Sequence, residues 1–400
     1  MPFTSMWHNP GKETNIMSLS HRSICVAQPV LDGNETKYVM NCLEENWISS
    51  KGKYIERFES MLAEYCGVSD AVVTNNGTTS LHLALVACGI GPGDEVVMPT
   101  LSYVATANAA QYCGAKPVFV DSEPNFFAID VEQIERAITP RTKAIMTVPL
   151  YGHPVDIDPI TEIADQHGLM LIEDSAEALG ASYKGRRVGS LAKCSSFSFF
   201  GNKTITTGEG GAIVTDDKAL AHRMKFLRGQ AVDPKKSYWH PEVGFNYRMT
   251  NIAAAIGVAH AERLHIHVQR RKQVASWYFN RLWASQHLLQ LPMSASWAEH
   301  SYWMYTVVLK PHVRVDRGEW MQALSVRGIE TRPVFYPIHE MPPYRRQHGR
   351  FPVAERISSR GINLPTHGNL SEDDVDYVCE NLLASIEMLQ GNSRTVGRAA

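Results

Sequence analysis

Two short stretches carry residues whose types and spacing could do chemistry together. "SFSFFGNKTITTGEGGAIVTDD", Ser196 to Asp217, sets Lys203 between an aromatic run with strand character and a glycine cluster with turn character, with no acidic residue within three positions on either side. "LMLIEDSAEALG" ends an apolar run in consecutive acids, Glu173 and Asp174. A phosphate loop of the Walker type does not fit the first stretch, because it needs Gly directly before the lysine and this chain has Asn202 there. A lysine near one strand end and a carboxylate at another suit pyridoxal phosphate. The amine can form a Schiff base with the cofactor aldehyde, and the carboxylate keeps the pyridine nitrogen protonated so that the ring accepts electrons.

Two further stretches fit the same cofactor. "TNNGTTSLHLALVACGIGPGDE", Thr74 to Glu95, passes from a strand through Gly77, Thr78 and Thr79 into a helix. The glycine lets backbone approach closely and the helix N-terminus offers free N–H groups, so the segment has the form of a phosphate cradle. Tyr103, in "PTLSYVATANAAQYCG", follows a strand end and could lie flat on an aromatic ring. Taken singly, each residue has a plainer reading: a turn lysine, a strand-end aspartate, a helix-capping threonine, a packing tyrosine. Their succession along the strand ends of one domain is what joins them.

The elements that must position these residues are legible between about Asp70 and Asp217. Seven short β-branched or apolar runs, at 71–74, 95–99, 117–121, 143–149, 169–174, 195–200 and 210–216, alternate with helix-like segments. This predicts a largely parallel seven-stranded sheet covered by helices on both faces, with its site at the carboxyl edge. One helix start is expected at Asp158 as N-cap with Pro159 following. Beyond about Thr250 come a long helical stretch, a strand at 303–310, a helix near 317–327, the extended "IETRPVFYP" and a final helix near 371–389. We expect a tail at 1–23, a large domain at 24–262, a smaller α+β domain at 263–391 and a tail at 392–400.

Composition narrows the function classes. The 39 Lys+Arg against 41 Asp+Glu give a formal charge of -2 with no long run of one sign, which argues against nucleic acid or a membrane surface as partner. The seven cysteines are scattered without a C-x-x-C pair, so neither a zinc site nor a disulfide framework is expected, and a cytoplasmic setting fits. No window holds eighteen apolar residues in a row.

With these segments in place, the chain resembles the pyridoxal-phosphate nucleotide-sugar aminotransferases of the DegT type, which have the aspartate-aminotransferase fold, fold type I. The resemblance spans "ICVAQPVLDGNETKYVMNCLEENWISSKGKYIERFE" to "INLPTHGNLSEDDVDYV" and rests on "NNGTTSLHLALVACGIGPGDEV", "EDSAEALGA", "SFSFFGNKTITTGEGG", "VGFNYRMTNIAAAIG" and "RPVFYPIHEMPPY". It implies that Lys203 binds the cofactor aldehyde and Asp174 the pyridine nitrogen. Gly77 and Thr78 with the adjoining backbone, and Ser198, would hold the phosphate, with Tyr103 stacked on the ring. Asn246 would reach the phosphate site of a neighbouring subunit, making the active unit a homodimer with shared sites. Glu177 stands where most of the family has Gln, at the ring hydroxyl; a glutamate there marks the branch acting on GDP-4-dehydro-6-deoxy-D-mannose. Tyr247, Arg248, His339 and "YWHPE" (238–242) would contact the nucleotide sugar.

The implied reaction is ping-pong transfer of the amino group of L-glutamate to the 4-keto carbon of a GDP-linked 6-deoxy sugar, with Lys203 carrying the proton. Its lack of a neighbouring acid in sequence predicts an unpaired amine whose pKa falls on burial. Two enzymatic alternatives stay open: an aminotransferase for a UDP- or dTDP-linked keto sugar, and a related 3-dehydratase, against which Lys203 speaks because that enzyme has histidine in its place. A non-catalytic aminotransferase-like regulator is disfavoured by the full set of cofactor residues and the absence of a basic module.

Overall fold

A computed structural model of the chain describes residues 22–345 and 349–396. Most of the expected N-terminal tail, and residues 397–400 of the C-terminal one, lie outside the described residues.

The seven expected runs form seven strands of one sheet: β1 (Asp70–Thr74), β2 (Glu95–Pro99), β3 (Lys116–Val120), β4 (Thr142–Thr147), β5 (Met170–Asp174), β6 (Cys194–Ser198) and β7 (Gly211–Thr215). Their spatial order is β1-β7-β6-β5-β4-β2-β3, and β7 alone runs antiparallel to its neighbours. The strands read as nearly continuous apolar runs because both faces are covered. Alternate residues go to opposite faces. Val72, Val96, Ile172 and Ile213 join one core, and Val73, Val97, Leu171 and Val214 join the other.

The helices α1 (Glu35–Glu44), α2 (Lys53–Cys66), α3 (Gly77–Ala87), α4 (Ala105–Tyr112), α5 (Val131–Ala137), α6 (Ile157–His167), α7 (Lys218–Arg228) and α8 (Asn251–Glu262) complete this body. Leu81, Leu83, Ala109 and Met224 of α3, α4 and α7 cover the first face; Phe58, Leu62, Ile134, Ile160 and Val258 of α2, α5, α6 and α8 cover the second. Each fully buried aliphatic or aromatic side chain contributes about 1.5–3 kcal/mol of transfer free energy. Helix α6 corrects one expectation. It begins at Ile157 with Asp156 before it, and the Asp158 carboxylate pairs outward with Lys184 at 2.7 Å and Arg186 at 2.6 Å instead of capping.

A second body follows. Strands β8 (Leu289–Gln290), β9 (Tyr305–Leu309), β10 (Arg332–Pro333) and β11 (Gly361–Leu364) form an antiparallel sheet in the order β8-β9-β11-β10. Helices α9 (Leu264–Leu282), α10 (Arg317–Ser325) and α12 (Glu372–Val396) pack on it around Tyr278, Tyr305, Trp320 and Leu382. Ile24 belongs to this second core and bridges to Ile329. The helix α11 (Pro352–Arg360) instead sends Ala354 and Ile357 into the core of the large sheet. The long helical stretch is broken at Arg263. We propose the domain boundary there, since α8 packs on α1 and α2 whereas α9 packs on α12.

Candidate active site

Strand register gathers the candidate residues along one sheet edge. Thr74 pairs with Gly211 and Gly211 with Ser198, so the carboxyl ends of β1 and β6 and the start of β7 lie in one row. One strand further on, Asp174 at the end of β5 pairs with Ser196.

The cradle is built where β1 turns into α3. Asn76 caps the helix, its side chain accepting from Thr79 N–H at 2.9 Å. Gly77 and Thr78 therefore open α3 with backbone N–H groups that the helix leaves free. Gly77 faces Ser198 so closely that a Cβ there would lie 2.8 Å from the Ser198 Cβ. Gly211 serves the same approach from below, since its Cβ would meet Ser80 Oγ at 2.5 Å and Asn76 backbone at 2.6 Å. Two glycines and a serine thus bring a helix N-terminus against a strand end, the arrangement that binds a phosphate.

Beside the cradle, Lys203 follows β6 in a turn, its N–H bonded to Phe200 C=O at 3.0 Å. Its amine is not unpaired. Glu177 Oε1 lies 3.6 Å from Nζ, and the ammonium sits 3.7 Å above the Trp303 ring. The expectation of an isolated lysine is corrected here: the acid absent from its sequence neighbourhood arrives from the loop after β5. Burial nevertheless moves the lysine's pKa down, with the Glu177 and Asp174 charges opposing. Burial pushes Glu177 up to about 7, with the Lys203 charge opposing. Glu177 Oε2 also accepts from Tyr151 N–H at 2.9 Å. Tyr151 has φ of 56°, an uncommon conformation for a residue with a side chain, and it aims that N–H at the carboxylate.

Asp174 is buried, and burial raises its pKa. One of its oxygens accepts from Thr106 Oγ1 at 2.7 Å and the other from Ala176 N–H at 3.3 Å, which hold the carboxylate in one orientation. Tyr103 is 57% exposed on the rim, and its ring lies 5.6 Å from Phe335. Phe335 is 5.4 Å from Tyr151, and Tyr151 is stacked 6.1 Å from Trp303, so an aromatic wall runs from Tyr103 to Lys203. The buried Arg271 donates to Lys203 C=O at 3.3 Å, Trp303 C=O at 2.9 Å and Thr366 C=O at 2.5 Å, tying the lysine turn to the segments around Trp303 and Thr366.

The remaining predicted residues lie around this group. His339 Nδ1 is 2.7 Å from Thr100 Oγ1, just past β2. Tyr247 is stacked 4.8 Å from Phe245 and its hydroxyl lies 3.0 Å from His82 Nδ1, a packed setting. Asn246 is exposed and its amide oxygen accepts from Arg248 at 3.1 Å, while Arg248 bridges to Thr74. In the 238–242 segment Tyr238 is 95% exposed and Glu242 pairs with Arg223. Sequence reasoning did not single out Thr106, Tyr151, Arg271 or Trp303. Only Tyr151, ahead of Gly152 in a turn-like "YGHP", carried any local signal. Among the described residues no cluster of three His, Cys, Asp or Glu could hold a metal, and no helix is long and apolar enough to cross a membrane.

An open, mostly parallel α/β sheet with a largely enclosed lysine, two buried carboxylates and a helix N-terminus on its carboxyl edge defines a class: lysine-centred group-transfer enzymes of fold type I. The model of the DegT/DnrJ/EryC1/StrS aminotransferase family matches residues 29–383, and the chain belongs to that family. It is 53% identical to GDP-perosamine synthase of Caulobacter vibrioides, covering 89% of this chain and 96% of the relative. With GDP-perosamine synthase of Escherichia coli O157:H7 it shares 47% identity over 90% of this chain and 97% of the relative. Among solved structures, Spr1654 from Streptococcus pneumoniae in its PLP form superposes with a TM-score of 0.87 at 27% identity, covering 92% of this chain and all of that one.

Proposed function

We propose that this chain is a pyridoxal phosphate enzyme that moves the amino group of L-glutamate to C4 of GDP-4-dehydro-6-deoxy-D-mannose, giving GDP-perosamine and 2-oxoglutarate. What carries the reading is the largely enclosed Lys203–Glu177–Asp174 group beside the Gly77/Ser198 cradle, in a chain 53% identical to an enzyme named for that product. The residues fit the cofactor. Lys203 is the amine for its aldehyde, Asp174 the acceptor for its ring nitrogen, and Glu177 the partner for its ring hydroxyl. Gly77 and Thr78 N–H groups and the Ser198 hydroxyl hold its phosphate, with Tyr103 against the ring face. When bound, the cofactor supplies an electron sink for the carbon that loses a proton.

The chain's own residues then manage position and protons. Burial favours the neutral amine of Lys203, which can take a proton from the amine-bearing carbon of glutamate and later return one to C4 of the sugar. Glu177, 3.6 Å away, offsets the charge that appears on Lys203 while it holds the proton. Thr106 and Ala176 N–H keep Asp174 turned toward the ring position, and Arg271 keeps the lysine turn in register with Trp303. Tyr247, Arg248 and His339 are proposed contacts for the nucleotide sugar. A cytoplasmic homodimer completes the reading, with Asn246 of one subunit serving the phosphate site of the other.

A panel of GDP-, UDP- and dTDP-linked 4-keto-6-deoxy sugars with L-glutamate as donor tests the substrate. The GDP-mannose derivative is expected to give the highest kcat/KM; a better acceptor in another series would overturn the perosamine assignment and leave the aminotransferase standing. Lys203→Ala is expected to lower turnover by roughly 10²–10⁴-fold. Sedimentation of the full chain tests the dimer, for which a monomer at working concentration is the contrary result.

A further inference from the structure

Three contacts fix Trp303, just ahead of β9, against the Lys203 turn. Its ring meets the Lys203 ammonium, Nζ lying 3.7 Å from the ring centroid. Its indole N–H donates to Asn202 C=O at 2.9 Å, one residue before the lysine. Its own C=O accepts from Arg271 at 2.9 Å, and the same guanidinium donates to Lys203 C=O at 3.3 Å. The side chain also belongs to the core of the large sheet.

A large aliphatic side chain would fill that place in the core as well. What it lacks is the N–H that turns the indole and the electron-rich face that attracts a cation. The ammonium has a second negative partner in Glu177 Oε1, 3.6 Å from Nζ. Both partners rest on Tyr151. The Tyr151 ring stacks on Trp303 with centroids 6.1 Å apart and planes 19° apart, and its N–H holds Glu177 Oε2 at 2.9 Å. Its hydroxyl accepts from Phe335 N–H at 3.1 Å, which fixes the ring in turn.

We propose that Trp303 is a positioning residue of the reaction, the seat on which the free side chain of Lys203 rests while its nitrogen carries a proton. The inference rests on the reading of Lys203 as the proton carrier and deepens it. Lysine has a flexible four-carbon stem, so a free amine samples many positions unless its surroundings select one. The ring face attracts the ammonium through its charge, and the neutral amine feels no such pull. Trp303 therefore holds Lys203 once the proton has been taken up and lets the amine go once the proton has been given back. A second carboxylate in its place would add another buried charge, with its own desolvation cost, and keep the proton on the lysine.

The pH midpoint for reductive methylation of Lys203, read by peptide mass spectrometry on the full chain freed of cofactor, tests this. Trp303→Leu should lower the midpoint by about 0.5–1.5 pH units, because loss of the ring disfavours the ammonium. Trp303→Phe loses the same N–H but keeps an aromatic face, so its midpoint should lie above that of Trp303→Leu. An unchanged midpoint in Trp303→Leu overturns the proposal. Equal shifts in the two variants overturn it too, since they assign the effect to the lost Asn202 bond. Should Trp303→Leu fail to fold, a ring-fluorinated tryptophan in place of Trp303 decides, because it keeps shape and N–H while draining negative charge from the face. Its midpoint should also fall, and an unchanged one overturns the proposal. No sugar enters the measurement, so failure of the acceptor assignment leaves its result standing, and an unchanged midpoint leaves the acceptor assignment standing.

Discussion

Lys203 Nζ lies 3.6 Å from Glu177 Oε1; the Glu177 side chain is buried and that of Lys203 is 12% exposed. Burial drives the lysine toward its neutral amine and the glutamate toward its neutral acid, while their mutual attraction opposes both shifts. Charge on this pair is therefore poised. Glu177→Gln keeps an oxygen for the Tyr151 N–H but removes the negative charge that holds the ammonium. The Lys203 pKa should fall further, moving the pH midpoint for reductive methylation of Lys203 in the cofactor-free protein downward. An unchanged or higher midpoint would show that Glu177 exerts no charge on the lysine.

Gly77→Ala puts a methyl 2.8 Å from the Ser198 Cβ. The helix N-terminus must back away from the strand, at a cost of about 1–3 kcal/mol. Retention of pyridoxal phosphate by equilibrium dialysis should weaken by roughly tenfold or more, since each 1.4 kcal/mol is a factor of ten. Adding Ser198→Gly removes the clash but also the hydroxyl, so it should restore melting temperature more fully than affinity.

Glu173, fully buried beneath the site edge, accepts from Ser175 Oγ at 2.7 Å and is pushed by burial up to about 7. A carboxyl whose folded pKa lies above its unfolded value contributes stability below the unfolded value, near 4.5, and loses it as pH rises through about 7. Charging Glu173 then costs the fold up to about 3 kcal/mol. Glu173→Gln should raise the melting temperature at pH 8 more than at pH 5. Parallel melting curves for the two proteins across that range would contradict this.

Arg271 closes three carbonyls from three distant segments, those of Lys203, Trp303 and Thr366, and burial brings its pKa down to about 10. Lysine cannot reproduce the fork of donors. Arg271→Lys should leave at least one buried carbonyl without a donor, costing roughly 1–3 kcal/mol, and loosen the lysine turn. The expected readouts are a lower urea midpoint and a slower turnover; an unchanged midpoint would mean that water replaces the guanidinium.

Much of this was legible in the chain. The seven β-branched runs became the seven strands within two residues at each boundary, because strand runs and the Gly, Asn and Asp turns between them are local signals. The antiparallel direction of β7 was not read from the sequence, where the glycines before it marked only a turn; its pairing with β1 and β6 set that direction. The start of α6 was misjudged because Asp158 found Lys184 and Arg186, distant partners that outbid its capping role.

What the chain by itself determined was the inventory: a lysine, an aspartate, a glycine at a helix start and a serine, each at a strand end, so that any parallel sheet in this order would gather them on one edge. Only the tertiary structure decided the environment of those residues. Trp303 over Lys203, Arg271 behind it, Thr106 on Asp174 and Glu177 beside the amine come from segments up to a hundred residues away. No local pattern encodes such contacts, because they follow from how helices and sheets pack and not from the period of any one of them. They nonetheless set the charge on the amine, since burial and neighbouring charge both depend on what surrounds it in space.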